Sequence, residues 1–178
     1  MRVAPETHWG AGRPARTLRP VPDRKPPRGL DGERETLLSL LQFQRDSMVR
    51  KVEGVSDEDA RRSPVTSGTT LLWLVKHLCY AESIWVERRF AGLDVPLTGD
   101  AIDVEPDTLD AALAAYRATW ARVDAIVAGA ALDDECVVPK ETGQANLRWV
   151  LGHLLEETAR HAGHADILRE LMDGSTGR

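Results

Sequence analysis

Four long segments of this chain carry apolar residues at helical spacing, and this pattern limits the fold more than any other feature. In the fourth segment the apolar residues recur every three or four positions: Leu147, Val150, Leu151, Leu154, Ala165, Leu168 and Met172. No segment shows the convincing apolar–polar alternation of a half-buried strand. The pattern therefore predicts an all-α four-helix bundle.

Capping residues and helix breakers set the bounds of the predicted helices. We expect a first helix that is capped by Asp31 and ends before Gly54, and a short helix that Ser56 opens and Pro64 ends. The other three are predicted from Thr69 or Thr70 to about Phe90, from about Pro106 to Val127, and from about Asn146 to Met172, where Gly174 follows.

The first 29 residues differ in composition from the rest of the chain. They hold six of the ten prolines, and seven Lys/Arg against two acidic residues, with hardly any apolar periodicity. Because such a segment cannot build a core, we predict a disordered arm over residues 1–29 and the bundle over residues 30–174. The arm is either a basic docking tail or an unstructured extension, and its composition favours the second interpretation.

Charge and cysteine content narrow the classes of function. The chain carries a net charge of −5, and because the arm is basic the bundle is strongly acidic, which argues against a nucleic-acid partner. No apolar run is long enough for a membrane span and no secretory signal is recognisable, so we expect a cytoplasmic protein. Cys79 and Cys136 are too few and too far apart for a disulfide scaffold or a thiolate metal site.

Two histidines and one glutamate form the candidate site. Glu157 and His161 are one helical turn apart in the fourth segment, so their side chains can reach one ion. His77 lies in the apolar stripe of the second segment, where an imidazole needs a partner. Two neutral imidazoles and a carboxylate are a common set for a divalent metal that keeps positions open for water or substrate.

Other assignments of these residues stay open at this point. His153 and His164 each lie close enough in sequence to replace one ligand, and Asp166, Glu82 or His164 could orient a ligand ring. His77 could instead be a hydrogen-bonded core histidine, and the Glu157–His161 pair a surface ion pair.

The residues that form the candidate site also resemble a known family. The run Leu-Val-Lys-His77-Leu, together with Glu157-x3-His161-x2-His164-Ala-Asp-Ile-Leu-Arg, resembles the DinB/YfiT-like metalloenzyme superfamily, and more narrowly an actinobacterial DinB-like branch. The resemblance covers roughly residues 30–174. It implies an up-down-down-up bundle, often a homodimer, that holds zinc or nickel through three residues of its second and fourth helices.

The resemblance also indicates which residues bind the metal and what the site does. Many members have histidine at all three positions, whereas this chain has Glu157 at one; the set His77, Glu157 and His161 is similar to the zinc ligands of mycothiol-dependent maleylpyruvate isomerase. Relatives include S-transferases of small thiols, so the leading expectation is transfer of a mycothiol-type thiol to an electrophilic substrate, without a nucleic-acid or membrane partner. The alternatives are a metal-assisted hydrolase, in which His164 or Glu82 accepts the proton, and a non-catalytic bundle that binds a metal or small molecule.

Overall fold

The computed structural model describes residues 24–96, 108–139 and 143–176, and this part of the chain is helical. Its helices are α1 (Glu33–Val52), α2 (Asp57–Arg61), α3 (Leu71–Glu82), α4 (Leu109–Ala128) and α5 (Leu147–Asp173), and a π-helical segment, Ser83–Phe90, continues α3. Within these ranges the only β-type pairing is an isolated antiparallel bridge between Glu135 and Asn146. The predicted all-α fold is confirmed.

Polar caps begin most of these helices. The side chains of Ser56, Thr70, Thr108 and Asn146 each accept a hydrogen bond from the backbone amide three residues later. The predicted Asp31 cap is wrong, because the N-cap of α1 is Gly32, without a side-chain cap. Glu33 and Glu35 instead place negative charge in the first turn of α1, where the helix dipole favours it. The predicted start at Pro106 lies outside the described residues.

Side-chain pairs at both ends show that α1 and α5 run parallel. Arg148 at the start of α5 pairs with Glu33 at the start of α1, with Nε 2.6 Å from Oε1. Near the C-terminal ends of the same helices, Lys51 pairs with Asp166. Helix α3 runs antiparallel to α5, since His77 meets Glu157 while Trp85, further along the chain, meets Trp149, which lies earlier in α5.

Helix α4 runs parallel to α3 and antiparallel to α1. The Sγ of Cys79 lies 3.2 Å from the Oγ1 of Thr119. Further along both chain segments, Arg122 of α4 donates to Glu87 of the π-helical segment. Arg34, at the start of α1, donates to the carbonyl of Val127, at the end of α4. The directions of α1, α3, α4 and α5 are therefore up, down, down and up, as the family resemblance implies.

The core consists of two apolar clusters. One surrounds Met48, Leu74 and Tyr116, and the other surrounds Leu41, Val86 and Leu151. A buried ion pair also joins α1 to α3: Arg45 is 2% exposed and donates two hydrogen bonds to Glu82, which is fully buried. No described helix combines the length and apolar character needed to cross a membrane.

The segment between α4 and α5 is fastened to the end of the π-helical segment. The amides of Val137 and Val138 donate to the carbonyls of Phe90 and Arg89, over 3.2 and 2.9 Å. Gly92 permits this approach: its φ is +68°, and a Cβ at that position would lie 2.8 Å from Cγ1 of Val137. The segment between α4 and α5 and the end of the π-helical segment therefore lie side by side on one side of the bundle.

Candidate metal centre

His77, Glu157 and His161 converge in the groove between α3 and α5. The Oε1 atom of Glu157 lies 3.0 Å from Nε2 of His77 and 3.0 Å from Nε2 of His161. Because a carboxylate only accepts, both imidazoles donate to the same oxygen. The spacing of four residues predicted that Glu157 and His161 would share a helix face, and the antiparallel packing of α3 brings His77 to that face.

The protonation states favoured at this site are those that metal binding requires. Burial alone would raise the pKa of the Glu157 carboxyl, but the hydrogen bonds from His77 and His161 outweigh burial and lower the pKa below its usual value. Burial lowers the pKa of His161, and this effect exceeds the opposing hydrogen bond to Glu157. An ionised carboxylate and a neutral imidazole are the forms that bind a cation.

Aromatic and polar neighbours fix the orientation of the three side chains. Trp73, one turn before His77 on α3, stacks on its ring with centroids 4.8 Å apart and planes 22° apart. The Nδ1 of His164 lies 3.3 Å from the Nδ1 of His161, on the opposite side of that ring from Glu157. Arg160 lies 3.5 Å from Oε2 of Glu157, the oxygen that the histidines do not use.

These residues fit a divalent metal ion. The three candidate ligand atoms all lie within 4.8 Å of one another, and donor atoms around a tetrahedral zinc ion lie roughly 3.3 Å apart. The side chains are 16%, 15% and 10% exposed, so the site is sheltered but can be reached from solvent. Two nitrogens and one oxygen suit zinc or nickel and leave coordination positions open.

The other candidate residues have different partners. His153 stacks on Trp149 and meets Trp85 edge-on, one helical turn away from the triad. Asp166 pairs with Lys51 and Glu82 with Arg45, so the structure places neither carboxylate in the role of orienting a ligand ring. Of the proposed orienting residues, His164 is the one in contact with a member of the triad. His8 lies outside the described residues.

Sequence reasoning missed a pocket near the start of α5. Arg89 and Cys136 line it together with Trp85, Trp149 and His153. Arg89 and Cys136 are far apart in the chain and meet because residues 136–138 bind the end of the π-helical segment. No spacing rule connects these two residues. Of the neighbours of the metal centre, Trp73 was the one that the sequence could have indicated, since it precedes His77 by one helical turn.

Comparison with solved structures supports the fold. The chain is similar to a structure described as the conserved protein of locus from Enterococcus faecalis, with a TM-score of 0.59 and 16% sequence identity. The match covers 80% of this chain and 98% of the other. Among curated proteins, none matches this chain.

Comparison with protein families identifies the chain more closely. The model of the family described as Mycothiol-S-transferase matches residues 36–174, which contain the four long helices except the first three residues of α1, together with the three candidate ligands. The predicted DinB/YfiT-like resemblance is thereby confirmed. The chain belongs to the mycothiol S-transferase family.

Proposed function

We propose that this protein is a metal-dependent S-transferase that joins a mycothiol-type thiol to an electrophilic small molecule. The observation that carries the proposal is the convergence of His77 Nε2, Glu157 Oε1 and His161 Nε2 within 4.8 Å in a chain of this family. Zinc or nickel is the expected ion. A bound divalent cation lowers the pKa of a coordinated thiol and keeps it as a nucleophilic thiolate near neutral pH.

The surrounding residues of the chain support this chemistry. Glu157 contributes one negative charge, which offsets part of the charge of the cation and leaves the site able to hold an anionic sulfur. The indole of Trp73 covers one face of His77 and excludes water from that side. His164 is either the acceptor of the thiol proton or the residue that orients His161, and its 3.3 Å contact with the Nδ1 of His161 favours the orienting role.

The first test is the metal content of the untagged full-length protein, measured by elemental analysis. We expect about one zinc or nickel ion per chain, and its loss in the His77→Ala and His161→Ala variants because each removes one of three ligands. His153→Ala is the matched control, since this histidine lies on the same helix but outside the triad. Stoichiometric metal in the His77→Ala variant would rule out the proposed site.

The second test is turnover. With mycothiol and 1-chloro-2,4-dinitrobenzene, we expect a metal-dependent rate that is first order in the thiol at low concentration and absent in the His161→Ala variant. Metal-dependent ester hydrolysis without any thiol would favour the hydrolase alternative. Bound metal with neither activity would favour a bundle that only binds.

A further inference from the structure

A pocket of about 480 Å³ opens near the start of α5, and its lining includes none of the three candidate metal ligands. Three elements build it: the π-helical segment provides Trp85 and Arg89, the segment before α5 provides Cys136 and Gln144 among others, and α5 provides Trp149 and His153. This volume lies within the range of small-molecule sites in proteins. Its polar side chains are few, as in sites that recognise a compact organic ligand.

The pocket and the metal centre share the groove between α3 and α5. His153 precedes Glu157 by four residues, and a helix rises by about 1.5 Å per residue, so the two side chains lie about 6 Å apart along the axis of α5. Trp85 follows His77 on the opposite wall of the groove. His153 is the lining residue nearest to the centre in sequence, while Trp85 and Trp149 lie eight residues, about 12 Å along their helices, from His77 and Glu157. A ligand in the pocket therefore lies in the same groove as the centre, and its far end must extend past His153 to reach a nucleophile there.

Three aromatic rings form one side of the pocket. The rings of Trp85 and Trp149 lie 5.1 Å apart at 53°, and that of His153 lies 5.0 Å from Trp149 at 20°. Trp149 is 49% exposed although His153 stacks on it, so part of its ring remains available to a ligand. Burial raises the pKa of the Cys136 thiol, so this residue contributes a neutral, weakly polar surface.

Arg89 introduces a positive charge and an unsatisfied donor. Its guanidinium lies over the ring of Trp85 at 5.0 Å, and its Nε is buried without a hydrogen-bond partner among the described residues. A guanidinium at the wall of a pocket attracts an anionic group and can donate charge-assisted hydrogen bonds to it. None of the described residues that line the pocket is acidic, although the chain as a whole is. The pocket is therefore suited to an anionic group.

We propose that this pocket binds the electrophilic substrate as a planar, conjugated carboxylate, with its ring system against Trp149 and Trp85 and its carboxylate on Arg89. The assignment as the substrate of the transfer rests on the proposed function, whereas the binding chemistry does not. A mycothiol-type thiol is the alternative occupant, and the competition experiment below distinguishes it from the electrophile.

The pocket wall is formed before any ligand arrives. The amide of Cys136 donates to the carbonyl of Ala145 over 2.8 Å, and Val138 is bonded to the backbone of Arg89 itself. These bonds fix the backbone on two sides of the pocket, and the contact with the ring of Trp85 places the guanidinium. Binding then needs little reorganisation, which favours affinity for a small rigid ligand.

The test compares two probes of one shape, 1-naphthoate and 1-naphthamide, by isothermal titration calorimetry on the full-length protein loaded with metal. A hydrogen bond to a charged group distinguishes them, so we expect naphthoate to bind about tenfold more tightly. Arg89→Gln should abolish this preference, while Arg89→Lys should keep much of it. Arg88→Gln is the matched control. The side chain of Arg88 is exposed, and its replacement changes the net charge by the same amount. Equal affinity for both probes in the unmodified protein would overturn the proposal.

Metal-free protein separates the pocket from the metal centre. Naphthoate should bind the His161→Ala variant with unchanged affinity, and loss of binding would mean that the carboxylate binds the metal, which contradicts the proposal. In turnover assays, naphthoate should compete with the electrophile and not with the thiol. If the protein prefers naphthoate but catalyses no transfer, the proposed function alone is contradicted. If naphthoate competes with the thiol, the assignment of the pocket to the electrophile alone is contradicted.

Discussion

At the residue scale, the central feature is a single oxygen that accepts from two imidazoles. Glu157 Oε1 takes a hydrogen bond from Nε2 of His77 and from Nε2 of His161, both at 3.0 Å. Without an ion, these bonds hold the three side chains close together. A cation would bind at the two Nε2 atoms, each ring would carry its proton on Nδ1 instead, and the ligands would already be oriented. The negative charge of Glu157 is therefore needed both to accept the two hydrogen bonds without an ion and to bind a cation.

Replacing Glu157 by glutamine tests this dependence on charge. The amide has the shape of the carboxylate but is neutral and a poor metal ligand, and it cannot keep two acceptor bonds of the same strength. We expect Glu157→Gln to weaken zinc affinity by more than about 100-fold, beyond the effect of losing a residue that only orients a ligand. Competition with a coloured zinc chelator measures the change.

The control for this change is the neighbouring Glu156→Gln. Glu156 is 63% exposed and is not a candidate ligand, so the change alters the net charge equally and leaves all three candidate ligands in place. An equal loss of affinity in both variants would show that general electrostatics, not ligation, explains the effect.

The pH dependence of metal binding follows from His161. Burial lowers its pKa from the ordinary 6.5, so the ring is mostly neutral at that pH, and proton competition from His161 becomes strong only below it. We expect bound metal to persist as the pH falls from about 8 to 6.5 and to be released at lower pH. Metal content after equilibrium dialysis at several pH values measures this, and release beginning well above pH 6.5 would contradict the expectation.

At the scale of elements, the antiparallel α3 and α5 form the groove of the site, and α1 joins α3 through charge. Arg45 and Glu82 are buried together, and Arg45 also donates to Asp124 of α4 at 2.9 Å. Burial raises the pKa of Glu82, and the charge and hydrogen bonds of Arg45 oppose that shift. The guanidinium of Arg45 therefore joins α1, α3 and α4 through ion pairs.

Removing that guanidinium should destabilise the bundle strongly. Arg45→Met leaves Glu82 buried without its partner, and breaking a buried ion pair from one side costs about 3–5 kcal/mol of unfolding free energy. The double variant Arg45→Met/Glu82→Leu should recover most of this loss, because no charge is then left unpaired. Urea denaturation followed by circular dichroism measures both.

The control is Arg117→Met, which removes an exposed arginine whose guanidinium lies 3.7 Å from Glu53. Exposed pairs contribute less than about 1 kcal/mol, so this variant should stay close to the unmodified protein. A loss in Arg45→Met no larger than in Arg117→Met would show that the buried pair does not hold the helices together.

At the scale of the whole molecule, metal binding should stabilise a bundle that folds without it. The two apolar clusters lie mostly outside the site, so chelation should leave a folded protein, unlike small zinc domains. Free metal at about 100 times its dissociation constant adds about 2.7 kcal/mol to stability. Differential scanning calorimetry should show a higher Tm with zinc than with EDTA and no such difference in the His161→Ala variant.

Much of this architecture was predictable because local rules govern it. The spacing of Glu157 and His161 and the inward position of His77 in its stripe follow from helix geometry, as does the four-helix pattern. The N-cap of α1 could not be predicted from the capping preference of Asp31. The helix begins after Gly32 without a side-chain cap, and Glu33 and Glu35 stabilise its first turn instead. The arm over residues 1–29 and the homodimer stay predictions.

The pocket could not be predicted because tertiary contacts create it. Arg89 and Cys136 line one pocket because the amide of Val138 donates to the carbonyl of Arg89, and no sequence periodicity encodes such a contact. The π-helical winding of Ser83–Phe90 is similarly hidden, since the same residues read as an ordinary continuation of α3.

That winding has a consequence for how such a protein can change during evolution. Residues of an α-helix turn by about 100° each, so loss of one residue within Ser83–Phe90 would rotate the later side chains, Arg89 among them, relative to those before it. His77 lies before the segment and would keep its place opposite Glu157. If the proposed pocket binds the electrophile, a single-codon deletion or insertion can therefore change which electrophile binds while the three candidate metal ligands keep their places.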